Sequence, residues 1–496
     1  MNKYDRQIRL WSEAGQGSLK SARHLVLGVT AATTEFVKNM VLAGIGHVTI
    51  VDGNSVTEAD RSASFFMHHD VDGSNRAQVI AQYIQSLNDE AEVVGAAENP
   101  NHYIQTPELL ASYDIIITTR LADDILMQLW KNVCKTSVLI QIDSYGCVGQ
   151  VRSFFLWHTI VDSHPESRVE LYLHNLWSEI ESYSDSIDLE ALENHDHEHI
   201  AFVVLLIKAL QEWKRRHHNG PPSTLPEKKE FKAIIKAFER TYDQENVSEA
   251  VRNAWRVSVP KVPEGLSKLF EIQEGCNLRE FGLQLTFFSL VRALKQFVAK
   301  YDRLPLSGDL PDMKSDTAGY NRIVEIYRTK AKQDAEQFAR VYLNLCQLEG
   351  LEPASQSEIE HFCKNCRHIR ALRGVPPNED KRLNLRVHED SEFKSIFSAI
   401  CGANEYLYRN HLTTWYGDQS AAEALRDYSA HYADQVGLVY DSSAEELHSV
   451  SAFLGGIAAQ EATKFTLHQY TPFMHTLVYD AIKQATHVFL NGEIFN

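Results

Sequence analysis

Apolar positions in the first third of the chain alternate between two rhythms. Short apolar runs (Leu25-Val-Leu27, Val48-Thr-Ile-Val51, Glu92-Val-Val-Gly95, Tyr113-Asp-Ile-Ile-Ile-Thr-Thr119 and Ser137-Val-Leu-Ile-Gln-Ile142) predict five strands. Between them lie stretches of helical spacing at 33–43, 75–88 and 122–133; in the second, Val79, Ile80, Tyr83, Ile84 and Leu87 make one buried stripe. Strands alternating with helices imply a parallel sheet covered on both faces. An extended segment introduced by Gly146 and Gly149 then runs to Trp157.

From about Ser163 the rhythm changes. Helical patterns dominate at 200–216, 228–242, 246–255, 278–300, 320–348 and 389–411, separated by proline-rich breaks at Gly220-Pro-Pro222, Pro305 to Pro311 and Gly374-Val-Pro-Pro377. The longest apolar run, Ile200 to Ile207, stops at Lys208, far short of the roughly 20 residues that span a bilayer, so it predicts a buried helix. Near Leu447 the α/β character returns. A helix over 450–465 has Gly455 and Gly456 at its centre, each costing about 1 kcal/mol, so a closely packed partner is expected. Strands follow at 474–479 and 485–489. The expected organisation is one α/β domain built from residues 1–163 and 447–496, with residues 164–446 as a helical insertion.

Composition narrows the function classes. A chain of 496 residues exceeds one ordinary domain, and 44% hydrophobic with 23% charged residues fits globular cores. The net charge of −17 counts against a nucleic-acid partner and against an anionic membrane surface. Seven scattered cysteines and a polar start, Met1-Asn-Lys-Tyr-Asp-Arg6, point to a reducing cytoplasm or nucleus without a secretory signal. Cys363-Lys-Asn-Cys366 reads as two helix residues one turn apart, and His195-Asp-His-Glu-His199 as a polar, solvated connection, so no metal is expected.

Candidate chemistry gathers at two places. The order strand, tight turn, helix, strand over Arg23–Asp52 is that of a nucleotide-binding α/β unit, whose turn carries Gly-x-Gly-x-x-Gly so that backbone N–H groups can approach phosphates. Here Gly28 holds the first place, but Thr30 and Thr33 hold the others. Asp52 ends the second strand, where an acid can bond a ribose hydroxyl. At the N-terminus, residues 3–20 form an amphipathic segment with Arg6 and Arg9 three apart on one helical face, the spacing also of an ordinary solvated surface helix.

Four stretches carry a family resemblance: Tyr4-Asp-Arg-Gln-Ile-Arg-Leu-Trp11, Asn39 to Asp52, Tyr145-Gly-Cys-Val-Gly-Gln-Val-Arg152 and Ala452 to Glu461. They are similar to signatures of the ubiquitin-like-modifier activating enzymes. Ala293 to Lys300, Leu310-Pro-Asp-Met313 and Val324 to Ala335 resemble the insertion of the regulatory subunits that serve the modifier NEDD-8, also called Rub. The small subunit of the SUMO-activating enzyme is the runner-up, with a much shorter insertion. The resemblance implies a Rossmann-like ThiF/MoeB-type adenylation fold, mostly parallel in its sheet, with a degenerate nucleotide site. The inserted helical domain resembles one that carries a catalytic cysteine in related chains, without a recognisable nucleophile here.

It also implies a division of labour. A catalytic subunit of the NEDD-8/Rub-activating enzyme would bind MgATP, adenylate the C-terminus of the ubiquitin-like modifier and take it as a thioester, while this chain holds no cofactor. Active subunits place an Asn and an Arg where Ser62-Ala-Ser64 stands, and a lysine where Arg76 stands. Arg6 is the counterpart of an arginine that reaches across the dimer to the partner's ATP; Arg9 is equally readable as a structural ion pair. Without the resemblance, the α/β unit leaves open a self-contained oxidoreductase or adenylating enzyme, against which the missing glycines count, and a pure interaction protein.

Overall fold

The computed structural model describes residues 3–67, 73–163, 169–217, 220–273, 275–378, 391–415, 420, 421, 423, 425, 433–490 and 493–495. The chain divides into two units. Unit one comprises 1–162, 279–285 and 370–495, and unit two 163–278 and 286–369.

In unit one the five predicted strands form: β1 (Arg23–Leu27), β2 (His47–Val51), β3 (Glu92–Ala96), β4 (Ile115–Thr118) and β5 (Val138–Tyr145). They pair in parallel in the order β3-β2-β1-β4-β5. Covered on both faces, β2 and β4 are buried at every position, which is why their sequences do not alternate. The strand order reverses between β1 and β4, and the crevice beyond the carboxyl ends at such a point is where open α/β sheets bind ligands. The segment opened by Gly146 is an antiparallel strand, β6 (Val148–Phe154). The last strands of the chain, β9 (His475–Asp480) and β10 (Ala485–Leu490), extend the sheet from β6. A smaller antiparallel sheet joins β7 (Trp157–Ile160), β8 (Arg370–Arg373) and β11 (Glu493–Phe495).

The helices of unit one used below are α1 (Asp5–Ser21), α2 (Ala31–Ala43), α3 (Glu58–Ala63), α4 (Arg76–Gln85), α5 (Asp123–Val133), α6 (Ser391–Asn410) and α7 (His448–Leu467). The segment after β2 contains α3, opened by a reciprocal N-terminal cap between Thr57 and Asp60. The glycine pair in α7 has the expected partner at one position only. A Cβ on Gly455 would stand 2.7 Å from the Ala32 carbonyl of α2, whereas Gly456 meets only Asn39, at 3.9 Å. Gly455 therefore sets how closely α7 lies on α2.

The expected insertion of 164–446 needs correction at two places: residues 279–285 and 370–446 belong to unit one. The apolar stripe of α6 (Ile396, Phe397, Ile400, Cys401, Leu407) buries against Tyr145, Val148, Val478 and Phe489 of β5, β6, β9 and β10. The helix thus covers sheet, and no helical bundle claims it. The start of the expected helix at 389–390 lies outside the described residues.

Unit two is helical. The run Phe202–Ile207 is buried within a helix, as expected, and packs with Trp213, Phe231, Ile323 and Tyr327. Within the stretch that carried the insertion's resemblance, Asp334 accepts both arms of Arg303, at 2.5 and 2.8 Å, together with the Leu306 N–H, which fixes the chain at 303–306 against the helix Thr317–Glu349. His195 is exposed, but His197 is buried, so only part of that run is the solvated connection expected. Among the described residues no group of three or more His, Cys, Asp or Glu could hold a metal, and no helix is long and apolar enough to cross a membrane.

Replacing 163–278 and 286–369 with short turns, which keeps the 279–285 segment of unit one, should leave a cooperatively folding unit one, because Ile160 and Arg370 already face each other across β7 and β8. Replacing 165–445 should give an aggregating chain, since it strips α6 from the sheet; equal solubility of the two, read by gel filtration, would refute this boundary. His24 on β1 has no hydrogen-bond partner on either ring nitrogen among the described residues, and burial pushes its pKa down to about 3. The folded chain therefore binds fewer protons than the unfolded one between that value and an ordinary pKa of 6.5. Stability should be full above that window and fall on acidification through it, at up to about 1.4 kcal/mol per pH unit for this residue. His24→Leu should flatten the acid limb of a urea-denaturation series.

Candidate nucleotide-type cleft

The crevice at the β1–β4 switch point begins with the turn Gly28-Val29-Thr30, which carries the chain from β1 into α2. Gly28 adopts φ +96°, a conformation that favours glycine, and this explains why the first glycine of the pattern is kept. Thr30 is the N-cap of α2. Its hydroxyl accepts from the Thr33 N–H, while the Thr33 hydroxyl accepts from the Thr30 N–H, a reciprocal box that glycines could not build. The two threonines that replace the glycines thus bond the turn to itself.

The remaining donors are also engaged. Gly28 N–H bonds the Val51 carbonyl, and Val29 N–H bonds Asp52 Oδ2 at 2.8 Å. Ala31 and Ala32 N–H donate to the two carboxylate oxygens of Glu446, at 2.8 and 3.2 Å, and Thr34 N–H bonds the Thr30 carbonyl. Every N–H from Gly28 to Thr34 therefore has an acceptor within the chain. A phosphate at this turn would need those same groups, and the residues present do not fit one.

Asp52, the expected ribose acid, is likewise occupied. Its carboxylate accepts from Val29 and Asn54 N–H, both at 2.8 Å, and the Arg76 guanidinium lies 3.9 Å away. Arg76, at the start of α4, is buried; it donates to the Val29 carbonyl and pairs with Asp60 of α3 at 3.3 Å. The arginine in place of a lysine holds the turn, the β2 end and α3 together.

Glu446 and Arg120 were not among the candidates, and no local signal marks them. Glu446 lies 415 residues from Ala31 and reaches it only because the sheet returns the chain end to the crevice. Its side chain is 7% exposed; Ser451 donates to it at 3.0 Å and the Arg120 guanidinium lies at 4.0 Å. Arg120, just past β4, donates to the Ala444 and Thr413 carbonyls, while its own N–H bonds the buried Asp143.

Helix α1 sits apart from this network. Trp11 and Ser12 leave helical geometry and divide it, so Arg6 and Arg9 belong to a short first segment. Tyr4 anchors that segment: its ring lies where a Cβ on Gly44 would meet it at 2.9 Å, and its hydroxyl accepts from Asn88. Arg9 pairs with Asp5 at 2.9 Å, the structural reading weighed for it. Arg6 is exposed and makes no ion pair among the described residues. The two arginines, equivalent by spacing, are therefore distinct.

The thiols divide by burial. It pushes Cys363 and Cys366 up, the latter to about 12, and also raises Cys134 and Cys346, keeping all four protonated near neutrality. Cys363 lies in the helix Gln356–Asn365 and Cys366 caps it, as expected.

The chain matches the ThiF family across residues 4–491. It is 30% identical to the NEDD8-activating enzyme E1 regulatory subunit of Xenopus laevis, over 98% of each chain. It is 31% identical to the NEDD8-activating enzyme E1 regulatory subunit AXR1 of Arabidopsis thaliana, over 97% of this chain and 94% of that one. The Saccharomyces cerevisiae NEDD8-activating enzyme E1 regulatory subunit is 27% identical over 98% and 99%.

Thr30→Ala removes the cap of α2 and half of the reciprocal box, and should cost about 1 kcal/mol. Urea denaturation checks it; a change below about 0.3 kcal/mol would show that the box contributes nothing measurable.

Proposed function

The chain belongs to the ThiF family and, within it, to the NEDD8-activating enzyme E1 regulatory subunits, and from that premise we propose that it is the non-catalytic half of a heterodimer. Its partner is the catalytic subunit, which holds MgATP, adenylates the C-terminus of the ubiquitin-like modifier and accepts the acyl group on its own cysteine. This chain contributes the face of an adenylation-type fold and one arginine, and holds no nucleotide of its own.

The observation that carries the reading is the closed hydrogen-bond account of the turn Gly28–Thr34. Phosphate binding at a helix N-terminus depends on unpaired N–H groups, and all of these are paired. Asp52 is bound to its own chain by two backbone donors, one on each carboxylate oxygen.

Arg6 is the group this chain offers to the reaction. It is exposed on a segment anchored through Tyr4, and its neighbour Arg9 is occupied by Asp5. Attack on an α-phosphate builds negative charge on the departing pyrophosphate, and a guanidinium entering a dry site can neutralise it with two parallel hydrogen bonds. An arginine with no ion pair among the described residues gives up none of those contacts when it does so.

With the catalytic subunit present, Arg6→Ala should lower ATP–pyrophosphate exchange at least roughly tenfold, about 1.4 kcal/mol in transition-state stabilisation, with the heterodimer still intact by gel filtration. Arg9→Ala should have a much smaller effect. Unchanged exchange in Arg6→Ala would remove Arg6 from the mechanism and favour a purely scaffolding subunit.

A further inference from the structure

The carboxylate of Glu446 meets the first turn of α2 as an anionic ligand would. Its two oxygens take the N–H groups of Ala31 and Ala32, one each, at 2.8 and 3.2 Å. Those donors open a 13-residue helix, whose positive dipole end stabilises an anion in contact with them. Ser451 adds a hydroxyl donor at 3.0 Å and Arg120 a counter-charge at 4.0 Å.

The chain leading to Glu446 is held for this purpose. Ser443 and Ala444 both have positive φ, at +53° and +65°, a conformation that side-chain-bearing residues seldom adopt. Arg120 bonds the Ala444 carbonyl at 2.7 Å, and the Gly146 N–H bonds the Glu445 carbonyl at 2.8 Å. With the backbone pinned on both sides, the carboxylate is presented at a high effective concentration that a free anion must exceed.

We propose that Glu446 is a tethered anion occupying the phosphate seat of the fold: the seat persists beneath it, and the chain's own carboxylate excludes phosphate-type ligands. Threonine replacements have reshaped the turn, but the donors of Ala31 and Ala32 remain aimed at an anion. Removal of the carboxylate uncovers a site for a pyrophosphate-class anion. This proposal rests on the reading that the chain holds no nucleotide of its own, and it is independent of any role for Arg6.

The test is thermal unfolding of the full chain with inorganic pyrophosphate, against potassium chloride at matched ionic strength. Wild type should respond equally to the two salts. Glu446→Ala should melt lower and recover at least about half of the lost Tm in pyrophosphate on the order of 10 mM, because a ligand bound only by the folded state stabilises it by mass action. Glu446→Gln, which keeps the shape and loses the charge, should melt between the two and also respond to pyrophosphate, so the proposal stays testable if the alanine variant fails to fold. Adding Ala31→Pro should abolish the rescue: proline fits the first helical position but lacks the N–H.

Equal responses of Glu446→Ala to pyrophosphate and chloride would overturn the proposal, as would rescue that survives Ala31→Pro. Either result would leave the Arg6 reading standing. A Glu446→Ala chain that formed modifier adenylate without the catalytic subunit would instead sink the division of labour itself.

Discussion

The first turn of a helix exposes N–H groups that must find acceptors, and the way α2 meets that requirement governs the rest of unit one. In a nucleotide-binding fold the requirement is left for the ligand. Here it is met by Thr30, Thr33, Asp52 and Glu446, so the end of β2, the start of α2 and the entry to α7 are bonded into one network. Gly455 lets the α7 backbone come against α2, and Glu446 closes the contact at its polar end. Arg76 and Arg120 balance the two acids from opposite sides of the crevice. Groups that would assemble around a bound nucleotide are thus assembled around the chain itself.

Such self-satisfaction has a consequence for stability and for chemistry alike. A buried carboxylate is costly unless hydrogen-bonded, and both Asp52 and Glu446 accept backbone N–H groups with strong geometry. The crevice therefore stays polar without ligand, and the α/β scaffold can be kept for the surface it presents. Arg6, on a separate anchored segment, remains outside this network and available to act elsewhere.

Much of this was legible in the sequence. The alternation of apolar runs with helical stripes gave the parallel strands and α2, α4 and α5, because the inner strands β1, β2, β4 and β5 are largely buried and the helices bury one stripe; β3, at the sheet edge, has no fully buried position. The boundary of the insertion was not legible at 370. The stripe of α6 has the same period whether it packs on helices or on a sheet, and only the fold shows that β5, β6, β9 and β10 receive it. In the cleft, Thr30, Thr33 and Asp52 stood out because they sit at fixed places in a local pattern. Glu446 and Arg120 could not, since neither lies in that pattern and their partnership crosses most of the chain. Arg6 and Arg9 were equivalent by spacing until Asp5 took one of them.

Equilibrium binding of ATP measures most directly where the nucleotide resides. The chain alone should show no saturable binding at millimolar ATP, and the heterodimer with its catalytic subunit should bind a single equivalent. Saturable ATP binding by the isolated chain, or two equivalents bound by the heterodimer, would contradict the claim that this half has closed its own nucleotide site.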